Sequence, residues 1–435
     1  MGLYVTIYMI MNILYISANA CKRIVEEKEP LKKVLASFDI QYNFSAAQKT
    51  RRQRLIRGTL RNYVSLKYEI LAEDEHFKST NKKIYLYLCT LFSIRKLIKL
   101  RSEEELKDEF EDAVNQDKLN VDVDETYNKL LEMGRVKFAI PEKEKENSVK
   151  YNSLLFSVPE WIINIWLKQF GQEVTVKLLR SIDKKSQLFV RRNELLISER
   201  KFNKSKDFKA VKGVKGAYEY QLRSSLNNNE FKKSGYCFRE DLTFQDMLNS
   251  YTLPAGCKAL LLNGEKTEVT CDLAIRLQTA RGDLIVNIED DRKYRKGLYT
   301  YDKLGIKNIS CYHANIDLLR TYLGYNAFDL VVVMPKNTRF GLVNYKPELL
   351  SSIKKQDYRK LKDHQLECIE DAAKYIKNEG TFIYCVETIN KREGEDIVNL
   401  FLERHSGFEI VASRQYLPYE KQTNGMYYAM LRRNV

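Results

Sequence analysis

From Cys257 to the end of the chain, short apolar runs alternate with longer stretches of helical periodicity. This is the strongest constraint the sequence offers. A strand–helix–strand rhythm returns successive strands in parallel and buries both faces of the sheet they form. Strands are predicted at Ala259–Asn263, Asp283–Ile288, Asn308–His313, Asp329–Met334, Gly380–Val386, Phe408–Ser413 and Gly425–Leu431. Helices fill most of the gaps, at Thr267–Thr279, Arg292–Leu304, Leu361–Lys377 and Gly394–Arg404. The pattern implies a doubly wound α/β sheet of Rossmann-like type. The last two strands are joined by a short segment containing Pro418. A connection that short favours a hairpin-like return, so the final strand is expected to run antiparallel.

The first part of the chain reads differently. Up to about residue 135 the periodicity is helical and Gly and Pro are scarce, which suits an all-α bundle. Arg51 to Leu71 is amphipathic with a basic outer face, Lys83 to Leu100 is apolar enough to be buried, and Glu103 to Val114 is charged and expected outside. The apolar run Gly2 to Cys21 ends in Ala18-Asn19-Ala20-Cys21, like a secretory leader, but it has no basic start and is broken by Asn12. The spacing of Ile13, Leu14, Ile16, Ala20 and Ile24 suits the first helix of a bundle instead, with Met9 and Met11 as alternative starts, and the chain is read as cytoplasmic. Pro141 to Lys150 is a charged linker, Pro159 opens a helix running to about Phe170, and Ser186 to Asn193 reads as a strand. Lys201 to Lys215 is a lysine-rich loop with one acid, Asp207. The expected domains are 1–137, all-α; 150–230, a small α/β linker domain; and 231–435, the Rossmann-like domain.

At 435 residues the chain is too long for one core, and 44% hydrophobic with 30% charged residues is a globular composition. The net charge of +15 favours a polyanionic partner, because Lys and Arg gain by displacing counterions from phosphates. A compositional bias of the genome, visible in the 28 Tyr, is the competing explanation. The eight cysteines form no CxxC pair and the four histidines show no ligand spacing, so neither disulfides nor a metal site is indicated.

Several segments resemble the Sun/Fmu (RsmB-type) family of 16S rRNA cytosine-5 methyltransferases. The helical part is similar to that family's NusB-like RNA-binding domain, with Arg57-Gly58-Thr59-Leu60-Arg61 at its G-x-L-R turn. Tyr151–Leu167 (YNSLLFSVPEWIINIWL), Leu188–Asn193 (LFVRRN) and Gly235–Asp241 (GYCFRED) follow the family's next motifs in order. Leu366–Tyr384, Glu393 and Gly425–Leu431 follow its C-terminal ones. Seven strands with the last reversed is also the usual layout of S-adenosylmethionine-dependent methyltransferases.

The resemblance implies a cysteine thiolate that adds to C6 of cytosine, making C5 nucleophilic towards the methyl group. A second cysteine assists release. The two lie in loops after the fourth and fifth strands. Here those positions carry Lys336 and Glu387; Cys385 stands two residues early and reads as a core residue. The cofactor loop is shortened to Asn263-Gly264-Glu265-Lys266-Thr267, with Gly264 and Lys266 matching the end of the family motif. The ribose-binding acid falls on Asn287, with Glu289 as the substitute. S-adenosylmethionine is thus the expected cofactor if its pocket survives.

The reading is an RNA-binding protein with the family fold and an impaired catalytic site, monomeric, acting on small-subunit rRNA rather than DNA or a membrane. Arg57, Arg61, Arg191, Arg192 and Asn193 are the RNA-binding candidates, with the Lys201–Lys215 loop. The alternatives are an active S-adenosylmethionine-dependent rRNA cytosine-5 methyltransferase and a NusB-like protein-interaction scaffold.

Overall fold

The computed structural model describes residues 11–434 apart from 74–76, 78–82, 98–101, 183, 185–186, 320, 354–356 and 422. The chain divides into two compact units, residues 1–182 with 346–354 and residues 183–345 with 355–435. The expected linker domain is therefore divided. Its helical first half joins the N-terminal unit, and its strands join the C-terminal one.

The N-terminal unit is helical: α1 (Ile13–Val25), α2 (Leu31–Gln41), α3 (Ala46–Arg61), α4 (Tyr63–Glu73), α5 (Ile84–Leu97), α6 (Glu103–Gln116), α7 (Val123–Arg135), α8 (Ser148–Phe156) and α9 (Glu160–Ile182). The α1 periodicity predicted from sequence is realised, with Ile13, Leu14, Ile16, Ala20 and Ile24 all in the core. The single helix expected over Arg51 to Leu71 is two. Ser45 and Gln48 form a capping box that starts α3, and Asn62 ends it by donating its side-chain amide to the Gly58 carbonyl at 2.8 Å. Gly58 sits where α3 passes close to α5, and a Cβ there would lie 2.0 Å from the Phe92 ring. The helix opened by Pro159 runs on to Ile182, broken at Gly171 where φ is +74°.

The C-terminal unit holds two sheets. The smaller has four strands, β1 (Phe189–Arg192), β2 (Phe208–Ala210), β3 (Ala217–Tyr220) and β4 (Cys237–Arg239), in the order β2-β3-β1-β4. Helix α10 (Leu242–Asn249) follows. The larger sheet is built from β5 (Lys258–Leu262), α11 (Thr267–Thr279), β6 (Asp283–Asn287), α12 (Asp291–Lys303), β7 (Ile309–Tyr312), β8 (Phe328–Val333), α13 (Asp357–Ala373), β9 (Ile376–Val386), α14 (Glu395–Arg404), β10 (Phe408–Tyr416) and β11 (Met426–Arg433). Its seven strands lie in the order β10-β11-β9-β8-β5-β6-β7. The final strand is antiparallel to both neighbours, as its short connection required, and it inserts between β9 and β10.

Alternate residues of the parallel strands feed two layers. Ala259, Leu261 and Val286 pack with α10 and α11 on one face. Leu260, Leu262, Val331 and Val333 pack with α13 and α14 on the other. Burial on both faces explains why these strands were legible as apolar runs. The helix expected over Leu361–Lys377 ends at Ala373, and β9 begins at Ile376 rather than Gly380.

The strand residues Arg191, Arg192 and Asn193, expected to meet RNA, are only 3%, 6% and 0% exposed. This is a correction. Arg191 donates from Nε to Asp272 Oδ1 at 2.7 Å, from Nη2 to Glu194 Oε1 at 2.8 Å and from Nη1 to the Arg192 carbonyl at 2.9 Å. Arg192 donates to the Ile197 carbonyl, and Asn193 bridges the carbonyls of Gly235 and Leu304. All three side chains make hydrogen bonds inside the protein, as buried charges and amides must, although Arg192 Nε is left without a partner.

Beside Asp272 lies Glu240, 1% exposed, with neither carboxyl oxygen accepting a hydrogen bond. Burial pushes its carboxyl well above the usual range, and Asp272 adds to this against Arg276 and Arg191. Glu240 thus holds its proton more tightly than an exposed glutamate does, beside the Asp272 carboxylate. A raised folded-state pKa gives stability that is complete below the unfolded value of about 4.3 and is lost as pH climbs towards the folded one. Glu240→Gln keeps the shape without the proton. In urea melts it should match the wild type most closely near pH 5 and exceed it increasingly towards pH 8, by about 1–3 kcal/mol there. A pH-independent difference would show that Glu240 does not titrate in this range.

Candidate active site

The carboxyl ends of β5, β6, β8 and β9 carry the loops in which an open α/β sheet binds ligands. After β5 the chain turns at Asn263, in left-handed conformation with φ +56°, and α11 begins only at Thr267. All four intervening residues are engaged. Asn263 N donates to Asn287 Oδ1 at 2.8 Å, and Gly264 N donates to the Asn287 carbonyl at 3.0 Å. Glu265 pairs with Lys293, and Lys266 pairs with Glu387. Gly264 lies so close to the sheet that a Cβ there would meet Val286 at 2.2 Å. The loop is thus laid down on β6 rather than arched over a ligand.

Asn287 ends β6, fully buried, and its amide nitrogen donates to the Ala314 carbonyl at 3.2 Å. Its side chain therefore ties two loops together. Glu289, two residues on, is exposed and lines an open groove of about 980 Å³ with Asn315, Ile316, His364 and Cys368.

The loops after β8 and β9 are clamped to one another by Glu393. Its carboxylate accepts from Thr338 N at 2.8 Å, Thr338 Oγ1 at 2.5 Å, Thr388 Oγ1 at 3.0 Å and Gln365 Nε2 at 3.2 Å. Burial pushes this carboxyl up, against those hydrogen bonds, which pull it down. Tyr384 donates its hydroxyl to the Glu393 carbonyl at 2.6 Å. Within this frame Lys336 points to solvent while its carbonyl accepts from Gln365 at 2.9 Å. Glu387 is 3% exposed, and its partner Lys266 has its ammonium 4.7 Å from the centre of the Phe244 ring. Cys385 is a core residue of β9, 1% exposed, with its thiol pushed up to about 12 by burial. None of the eight free cysteines lies on the loops after β8 or β9.

The family described as 16S rRNA methyltransferase RsmB/F matches residues 264–432, which takes in these loops apart from Asn263. Over residues 264–432 the chain is thus similar to the RsmB/F methyltransferase domain. Among curated relatives it is similar to a probable ribosomal RNA small subunit methyltransferase B of Bacillus subtilis, with 22% identity over 281 residues. That alignment covers 61% of this chain and 60% of the relative's length. Two crystal structures share the fold. PH0851 covers 97% of this chain and 99% of its own, with a TM-score of 0.75 and 16% identity. A methyltransferase homologue from Pyrococcus horikoshii covers 66% and 99%, with a TM-score of 0.57 and 15% identity. The expected order of a helical unit followed by a seven-stranded Rossmann-like sheet therefore holds.

Measured against S-adenosylmethionine, the cofactor of this fold, the RsmB/F-type site fits only half. Glu289 and Asn315 offer polar groups to a nucleoside at one end of the groove. The Lys266 ammonium is committed to Glu387, and a carboxylate placed beside Lys266 would meet that of Glu387. The Lys266–Glu387 pair leaves the amino-acid half without the cation that the loop would otherwise offer.

The other candidates lie elsewhere. Arg57 is exposed and Arg61 half-buried on α3, in the N-terminal unit. There they face Glu348, whose carboxyl is raised by burial and drawn back by both arginines and Lys346. The Lys201–Lys215 segment forms a helical turn, β2 and the turn into β3, with Phe202 and Phe208 buried and its lysines exposed. The Lys266–Glu387 pair and the Glu393 clamp were not found from sequence. The signal was that Lys266, Glu387 and Glu393 all fall on positions of the family's motifs.

Proposed function

We propose that this chain is an RNA-binding member of the RsmB/F family that no longer transfers a methyl group to cytosine C5. The observation that carries the reading is the occupancy of the two catalytic loops. Cytosine C5 needs a thiolate on C6 before it can attack a methyl donor. The loops hold an exposed ammonium at Lys336 and a buried, paired carboxylate at Glu387 instead. A carboxylate already neutralised by Lys266 is a poor nucleophile. Glu393, fully used in clamping the loops, has no role left in proton transfer.

Small-subunit ribosomal RNA is the partner we assign, since relatives of this chain are named for it. The net charge of +15, with Arg57 and Arg61 on one unit and the exposed lysines of the 201–215 segment on the other, supports a phosphate-rich partner. Cytoplasmic location accords with that assignment. Among the described residues no helix is long and apolar enough to cross a membrane.

The test is calorimetric titration with S-adenosylmethionine, followed by transfer of labelled methyl to small-subunit rRNA. No saturable binding at millimolar ligand and no label above background are the expected results. Label recovered as 5-methylcytosine would overturn the reading and restore the enzyme.

A further inference from the structure

Away from the carboxyl-end loops, α12 carries a surface of unusual composition. Between Asp291 and Lys303 it has five cations against two acids. Arg292, Lys296, Tyr299 and Lys303 follow one another at spacings of four, three and four residues, which places them on one stripe of the helix. All four are exposed, Tyr299 by 71%. Gly297 and Tyr301 form the buried side. Two other cations of the helix are taken, Lys293 by Glu265 and Arg295 by Asp291. Among the described residues Lys296 and Lys303 are paired with no carboxylate.

We propose that this stripe, extended by Lys232 and Arg239 at its C-terminal end, binds an unpaired stretch of RNA, with phosphates on the cations and a base stacked on Tyr299. The proposal rests on the RNA-binding reading above and gives it a location. Asn193 builds the junction: its amide nitrogen holds the Gly235 carbonyl at 3.1 Å and the Leu304 carbonyl at 2.9 Å. This draws the Lys232–Gly235 turn against the end of α12, where the Lys303 carbonyl lies 3.1 Å from the position of a Cβ on Gly235. The cations there crowd one another. The Lys232 ammonium is held below its ordinary value by burial first, then by Lys303, with Arg239 and Lys296 adding to this against Cys237. The Lys232 ammonium donates to Asn227 Oδ1 and the nearby Lys233 is paired with Glu230, which leaves Lys303 and Lys296 for an anion to relieve. An exposed tyrosine set between cations suits a backbone with free bases, because stacking needs a base face that a duplex conceals. Helix α12 leads from the carboxyl end of β6 to the start of β7, so this junction lies at the amino ends of the strands. It is independent of every residue in the catalytic loops.

The test uses the full chain, a short labelled single-stranded RNA of mixed sequence and the matching duplex, followed by fluorescence anisotropy across a salt series. Lys296→Glu with Lys303→Glu should weaken binding at least about tenfold and reduce the salt slope by about two. Tyr299→Ala should weaken binding of the single strand about five- to a hundredfold and leave the duplex unaffected. These side chains are exposed, so unchanged thermal melts confirm intact variants. Wild-type binding with unchanged affinity and slope in the double variant overturns this footprint and leaves the RNA-binding reading intact. The same pattern with loss of binding to poly-glutamate assigns the stripe to an acidic protein instead, which also overturns it. No binding of either RNA by the wild type overturns both readings.

Discussion

Arg191→Ala should destabilise the C-terminal unit by about 3–5 kcal/mol and lower its melting temperature by about 10 °C. The guanidinium is 3% exposed and holds Asp272, Glu194 and a carbonyl at once. Asp272 is fully buried. Burial pushes its carboxyl up, and Arg191 and Arg276 together outweigh that and hold it below its usual value. With Arg191 gone, Asp272 keeps only Arg276 and still faces Glu240. Breaking a buried pair from one side leaves an uncompensated charge, which costs more than the pair ever contributed. Arg191→Met with Asp272→Asn removes both charges and should recover part of the loss. Arg191→Lys keeps the charge but cannot reach three acceptors, and should fall between. Denaturant melts of the full chain measure all three variants against the wild type. A cost below about 1 kcal/mol for Arg191→Ala would mean that water replaces the guanidinium, and that the strand is looser than its burial indicates.

The second large effect is expected at the Lys266–Glu387 pair. Glu387 has a side chain 4% exposed and Lys266 one 22% exposed, so the pair is drier than a surface ion pair without being sealed. Lys266→Met strands the carboxylate and should cost about 2–3 kcal/mol, the low end for a buried pair because the ammonium is partly solvated. Adding Glu387→Leu should bring the double variant within about 1 kcal/mol of the wild type. The cycle would then give a coupling of about 1–3 kcal/mol. The double variant also clears the end of β8 of both charges. If the coupling were near zero, the pair would not close the site. Cofactor binding would then be the stronger expectation, and the calorimetric titration would decide it.

The larger sheet was legible because its physics is local. Parallel strands buried on both faces must be continuous apolar runs, and Lys258–Leu262 and Phe328–Val333 are such runs. The reversal of β11 followed from chain length alone, since a short connection cannot carry a strand back to start a parallel neighbour. The error at Asn62 came from a side chain that competes with the helix ladder, a local effect that periodicity does not weigh. Within the site, the sequence placed Lys336 and Glu387 on the loops after β8 and β9, and the structure has them there. The pairing of Glu387 was not legible. Lys266 and Glu387 belong to different crossovers and meet only because β5 and β9 flank β8.

The basic strand shows the same division. Its sequence contains two arginines and an asparagine, and nothing in the residues distinguishes a phosphate grip from a buried brace. Tertiary packing decided it: β1 lies between β3 and β4 and against α10, so its polar side chains had to find partners inside. The chain by itself determined the order of helices and strands and the reversed last strand. Periodicity, connection length and residue identity are properties of the chain taken in order. The three-dimensional fold alone decided which charges are spent on the interior and which, as on α12, are left facing solvent. Burial depends on what packs above a residue, and those neighbours come from distant parts of the sequence.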